Sequence, residues 1–155
     1  MAKRDMDKVK NGARIVQGKN KDGSEFGYYV RPLGSIPYQN RLEALRKPHG
    51  RALQREGGRA IDRECIFQAM AEITMPKIFG YLDDNGSPVP DTLAERMNKL
   101  RGGPKDAPED ELDVDFYTDV QVSANDASTF AAAELMEPEE KEQAEKNSES
   151  SSPGT

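Results

Sequence analysis

Ala60-Ile61-Asp62-Arg63-Glu64-Cys65-Ile66-Phe67-Gln68-Ala69-Met70-Ala71-Glu72-Ile73-Thr74-Met75-Pro76-Lys77-Ile78-Phe79-Gly80 holds the most regular apolar spacing in the chain. Ile61, Cys65, Ala69 and Ile73 recur every four residues, and Ile66, Phe67 and Met70 widen the stripe. Residues four apart stand one turn above each other, so this spacing predicts an amphipathic helix over residues 60 to 80 at the centre of the core. Pro76 has no amide hydrogen to donate and should shorten or bend the last turn.

Upstream, Tyr38 to Arg55 also reads as helix, with Tyr38, Leu42 and Leu45 on one face. Pro48 predicts a kink or break near Lys47, and Gly57-Gly58 a stop. Before it, Arg14 to Gln17 and Phe26 to Arg31 hold the β-formers Ile15, Val16, Phe26, Tyr28, Tyr29 and Val30 around an Asp22-Gly23 turn signal. A short hairpin is expected there, ended by Pro32, Gly34 and Pro37. Met1 to Lys10 is polar and reads as a frayed terminus.

Downstream, residues 83–90 are dense in turn formers. Thr92 and Glu95 have capping-box spacing and open a helix to about Leu100, which Gly102-Gly103-Pro104 ends. Leu112, Phe116 and Val120 space as another helical face, and Ser128 is a candidate cap for a last helix holding Phe130, Leu135 and Met136. From Pro138 the chain is Glu/Lys/Gln-rich and then Ser-rich, without an apolar anchor. The expected architecture is therefore mainly α: a flexible start over residues 1–13, a small helical domain with a short N-terminal β-hairpin over 14–136, and a disordered acidic, Ser-rich tail over 137–155.

The composition is compatible with one modest core. Of 155 residues, 35% are hydrophobic and 32% charged, and Trp is absent, so burial can only narrowly offset chain entropy. No apolar run is long enough to span a bilayer, and no apolar stretch follows the first residues as in a signal peptide; cytoplasm is the default expectation, with no membrane partner. The charge is graded along the chain. Residues 1–59 carry 14 Lys/Arg against 6 Asp/Glu, and residues 102–155 carry 3 against 15. Such polarity suits an interaction tail or self-association through opposite ends.

Catalytic signatures are sparse. The single cysteine, Cys65, lies among apolar residues and reads as a small buried hydrophobe; it excludes an intrachain disulfide. The single histidine, His49, lies in a polar stretch beside Pro48 and reads as a surface residue. One His and one Cys do not make a structural zinc site. No Gly-rich phosphate loop ends in Lys-Ser or Lys-Thr. The acid clusters Asp83-Asp84 and Glu109-Asp110-Glu111 fall in loops, where solvated carboxylates outweigh an acid–base pair. Asp83-Asp84-Asn85-Gly86 lacks the alternating acids and later Glu of a calcium loop. No cofactor is expected.

Arg41, Arg46, Lys47, Arg51, Arg55 and Arg59 form a basic region, with Arg51, Arg55 and Arg59 at helical spacing. Such a stripe can neutralise phosphates. The acidic balance of the chain and the lack of a base-reading motif weigh against nucleic acid and favour a solvated helix face or a partner for the acidic C-terminal third of the chain.

The order of segments carries a resemblance. Tyr38-Gln39-Asn40-Arg41-Leu42-Glu43-Ala44-Leu45-Arg46-Lys47-Pro48-His49 is followed by Ala69-Met70-Ala71-Glu72-Ile73. Then come Asp83-Asp84-Asn85-Gly86-Ser87-Pro88-Val89-Pro90, Asp115-Phe116 and Asp126-Ala127-Ser128-Thr129-Phe130. Over roughly Phe26 to Glu145 this resembles the tail assembly chaperones of long-tailed bacteriophages. There a Tyr…Arg-Leu…Lys-Pro helix precedes an Ala-Glu helix, a Gly-x-Pro-Val/Ile-Pro turn and an Asp-Phe…Asp…Ser-x-Phe segment. Pro76 departs from that pattern at the end of the apolar helix.

The resemblance implies a non-enzymatic protein of the host cytoplasm, absent from the mature virion. It would bind and solubilise the tape measure protein before tail tube subunits polymerise around it. Further implied partners are tail tube subunits and a longer, frameshifted form of the chain; Glu145-Lys146-Asn147 permits a slippery heptamer in the gene. Phe79, Tyr81, Phe116, Tyr117 and Phe130 are the candidate client contacts, with a place in the core as the alternative for each. A connector protein retained in the virion, or a nucleic-acid-binding regulator using Arg41 to Arg59, are the competing expectations.

Overall fold

The computed structural model describes residues 4–132. The hairpin forms as expected. β1 (Ala13–Lys19) pairs antiparallel with β2 (Glu25–Val30), with a register shift between Val16 and Gly18. Gly23 (φ +88°) takes the left-handed position of the turn, and Asn20 closes it by donating its amide to the Ser24 carbonyl at 2.7 Å.

The mainly α expectation is overturned by a third strand. Among the described residues the fold is mixed α/β, with five α-helices and a three-stranded antiparallel sheet of order β1-β2-β3. The expected helix over residues 60 to 80 divides into three parts. α3 runs over Gly58–Ala69, and Met70–Thr74 widens into a π turn in which the Met75 amide donates to the Met70 carbonyl at 2.6 Å. After Pro76 the chain is extended as β3 (Lys77–Phe79) and pairs with β2, placing Ile78 opposite Tyr28. The physical reason lies in Pro76, which stops the helix, and in the free edge of β2, whose backbone groups need partners.

α2 covers Ile36–Arg46, capped by the Ser35 side chain accepting from the Tyr38 amide, with Pro37 in its first turn. Beyond Arg46 only short 3₁₀ turns continue, at Lys47–His49 and Ala52–Gln54, so the break at Pro48 is real and the segment to Arg55 is not one helix. α4 (Leu93–Arg101) has Thr92 as N-cap, bonded to the Glu95 amide at 3.2 Å. It ends in a Schellman motif: the Gly102 amide donates to Lys99 and the Gly103 amide to Asn98.

α5 (Asp115–Asn125) follows, and then a 3₁₀ turn at Ala127–Phe130. Asp126, not Ser128, caps that turn, its carboxylate accepting from the Ser128 amide. The expected continuation through Leu135 and Met136, and the tail over 137–155, lie outside the described residues. The polar start carries α1 (Met6–Asn11), capped by Asp5, whose own amide donates to the Phe130 carbonyl at 2.7 Å.

The core lies between one face of the sheet and the helices. Tyr28 and Val30 from β2, Ile78 from β3, Phe67 and Met70 from the α3 region, and Met75, Leu100, Val120 and Phe130 are all buried there. Gly27 sits where a Cβ would overlap the Ile15 carbonyl, so the close approach of β1 and β2 requires glycine. No helix among the described residues is long and apolar enough to cross a membrane.

Candidate functional site

α3 carries its apolar stripe past the sheet, and the segment from Glu109 to Tyr117 crosses beside it. Between them lies an open groove of about 490 Å³, in the size range of ligand pockets. Ile66 and Phe67 come from α3, Leu100 from the end of α4, and Leu112, Val114 and Tyr117 from the crossing segment. Phe67 and Tyr117 meet edge to face at 5.5 Å. Val114, one of the lining residues, is 63% exposed.

Charged groups border this floor. Arg63 donates to Glu109 at 2.7 Å across the groove, and this bond holds the Glu109 carboxyl below the usual range. Arg101, 5% exposed, makes a bidentate pair with Glu64 at 2.6 and 2.7 Å and also reaches Asn98 and the Gly103 carbonyl. Burial pushes the Tyr117 hydroxyl up. The Arg63 Nε is buried without a hydrogen-bond acceptor. A second cleft of about 460 Å³ shares Arg63, Arg101, Glu109 and Leu112 and adds His49, Cys65 and Lys105. Burial raises the Cys65 thiol, which favours its uncharged form. Among the described residues no three His, Cys, Asp or Glu side chains are placed to hold a metal ion.

The five candidate aromatics separate into four settings. Tyr117 lines the groove. Tyr81 and Phe116 meet at 6.1 Å, with the Lys99 ammonium 3.6 Å from the Tyr81 ring centre. Phe26 and Tyr28 extend this cluster, and burial lowers the Lys99 pKa. Phe79 faces the other side of the sheet, packed on Tyr29 and under the Arg14 guanidinium at 4.4 Å. Phe130 is core, 1% exposed. Only Tyr117 is thus placed at an open apolar surface.

The basic region divides as well. Arg41 is bound to Glu72 by two bonds of 2.7 and 3.3 Å, and Arg46 to Asp62 by 2.5 and 3.2 Å. Those two arginines tie α2 to the α3 region. Lys47, Arg51, Arg55 and Arg59 are exposed and form no ion pair among the described residues. Arg51, Arg55 and Arg59 do not share a helical face, because 3₁₀ and extended backbone separates them. Arg59 lies on the rim of the groove.

Ile66, Phe67, Leu112 and Val114 were not singled out by sequence as binding residues. The available signal was Val114 itself, an apolar residue between Asp113 and Asp115 with no helical partner upstream. Comparisons of the chain with protein-family models, with curated proteins and with solved structures give no match.

Proposed function

We propose that this chain is a non-enzymatic assembly chaperone that shields an apolar segment of a long helical client, as the tail assembly chaperones of long-tailed phages do for the tape measure protein. The observation that carries the reading is the open groove lined by Ile66, Phe67, Leu112, Val114 and Tyr117, an apolar surface with charged residues at its border. A long amphipathic client helix exposes a stripe that aggregates in water, and a groove of this kind can cover it. The order of segments from Phe26 to Glu145 supports the same reading by resemblance. The site of action is then the host cytoplasm, with tail tube subunits and a frameshifted longer form as further partners and no place in the finished virion.

The test is co-expression with a tape measure protein, the long helical client that the resemblance implies. The expected result is a client that stays soluble and co-purifies only when this chain is present. A client soluble alone, or this chain recovered in purified particles, would favour a structural connector instead.

A further inference from the structure

Between α2 and α3 the chain winds through a short connector. The Gly50 amide donates to the Lys47 carbonyl, Gln54 to Arg51, Arg55 to Ala52 and Gly58 to Arg55, so residues 47–58 form successive tight turns. That winding gathers Lys47, Arg51, Arg55 and Arg59 where α2 gives way to α3. All four are exposed, and none is in an ion pair among the described residues. By contrast Arg14, Arg41, Arg46, Arg63, Arg96 and Arg101 each have a carboxylate partner. Glu56 is the one carboxylate within residues 47–60. Nearby, Asp62 is taken by Arg46 and Glu109 by Arg63. Cations gathered in this way repel one another, and a carboxylate-rich segment laid across them relieves that repulsion.

Such a segment follows in the same chain. Glu134, Glu137, Glu139, Glu140, Glu142 and Glu145 stand against one Lys within residues 134–145, directly after the described residues. Reach is not limiting. The Leu33 amide, just before α2, donates to the Ala124 carbonyl, eight residues before Ala132. From there α2 spans only about 16 Å at 1.5 Å per residue, whereas a chain of a dozen residues extends to roughly 40 Å. We propose that the carboxylates of residues 134–145 dock on Lys47, Arg51, Arg55 and Arg59 of the same chain. Exposed charge pairs are individually weak, and the tether supplies the local concentration that makes them count together. The contact is sensitive to salt, and it covers a basic surface that would otherwise attract a polyanion such as single-stranded nucleic acid. It is independent of the groove and of the chaperone reading.

Amide NMR spectra of the isotope-labelled full chain test this. Glu137→Gln, Glu139→Gln, Glu140→Gln and Glu142→Gln, made together, should shift the amides of residues 47–59 and leave those of the sheet in place. Raising salt on the wild type should move the same signals toward their positions in the variant. Dilution should leave the wild-type signals unchanged, as a contact within one chain requires. Fluorescein-labelled single-stranded DNA should bind the variant several-fold tighter than the wild type at low salt. That gain should be lost when Arg51→Glu and Arg55→Glu, both at exposed positions, are added. No shift at residues 47–59, or shifts that persist at high salt, would overturn the proposal. Shifts that vanish on dilution would assign the contact to a second copy and overturn it too. Equal DNA binding by wild type and variant would show that the basic surface is open to a polyanion, with the same consequence. None of these outcomes touches client solubility, so the chaperone reading stands or falls separately.

Discussion

Two side chains show how single residues hold this fold. Tyr28 is fully buried, yet its hydroxyl donates to Asp119 at 2.6 Å and lies 3.0 Å from Ser123. Tyr28→Phe should cost about 1.5 kcal/mol, since it removes a bond to a charged acceptor; a urea melt measures this. Burial also raises the folded-state pKa of Tyr28 and Tyr81 above that of unfolded tyrosine. The unfolded chain therefore releases those protons first, so the contribution of these two tyrosines to stability should be constant below about pH 10 and fall as pH rises beyond it. Tyr28→Phe should flatten that alkaline loss in melts from pH 8 to 11. Arg101 and Glu64 should behave asymmetrically. Glu64→Ala leaves a buried guanidinium without its carboxylate and should cost about 3 kcal/mol. Arg101→Met leaves a carboxylate with access to water and should cost less; equal losses would contradict this view. Arg101 was unremarkable in the sequence, because burial of a charged side chain depends on a partner 37 residues away.

At the scale of elements, local spacing was informative and distant pairing was not. The hairpin, the break at Pro48 and the Thr92 cap each depend on a few neighbouring residues, and each was legible. β3 was hidden because three residues carry too little periodicity to distinguish strand from helix end, and its stability comes from β2 about fifty residues earlier. The groove was hidden for the same reason, since its two banks come from α3 and from residues 109–117. Gly102 joins these elements. Its φ of +86° closes α4, its carbonyl accepts from the Asp113 amide at 3.2 Å, and a Cβ would overlap the Asp113 backbone. Gly102→Ala should therefore cost about 2 kcal/mol or more and weaken client binding in the groove, because the far bank must move. Thermal melts and client co-purification with the same variant check both effects.

At the scale of the molecule, a modest core supports an open apolar groove with charged residues at its border, and charge is graded from basic to acidic along the sequence. Such a surface suits many weak contacts that a growing assembly can displace. Val114 is the most exposed apolar residue lining the groove, and at 63% exposure its replacement leaves the core untouched. The decisive measurement is the soluble fraction of the long helical client co-expressed with the wild-type chain, with Val114→Glu, or alone. A chaperone acting through the groove predicts a soluble, co-purifying client with the wild type and aggregation both with Val114→Glu and alone. A client equally soluble in all three, or equally protected by Val114→Glu, would contradict the central claim.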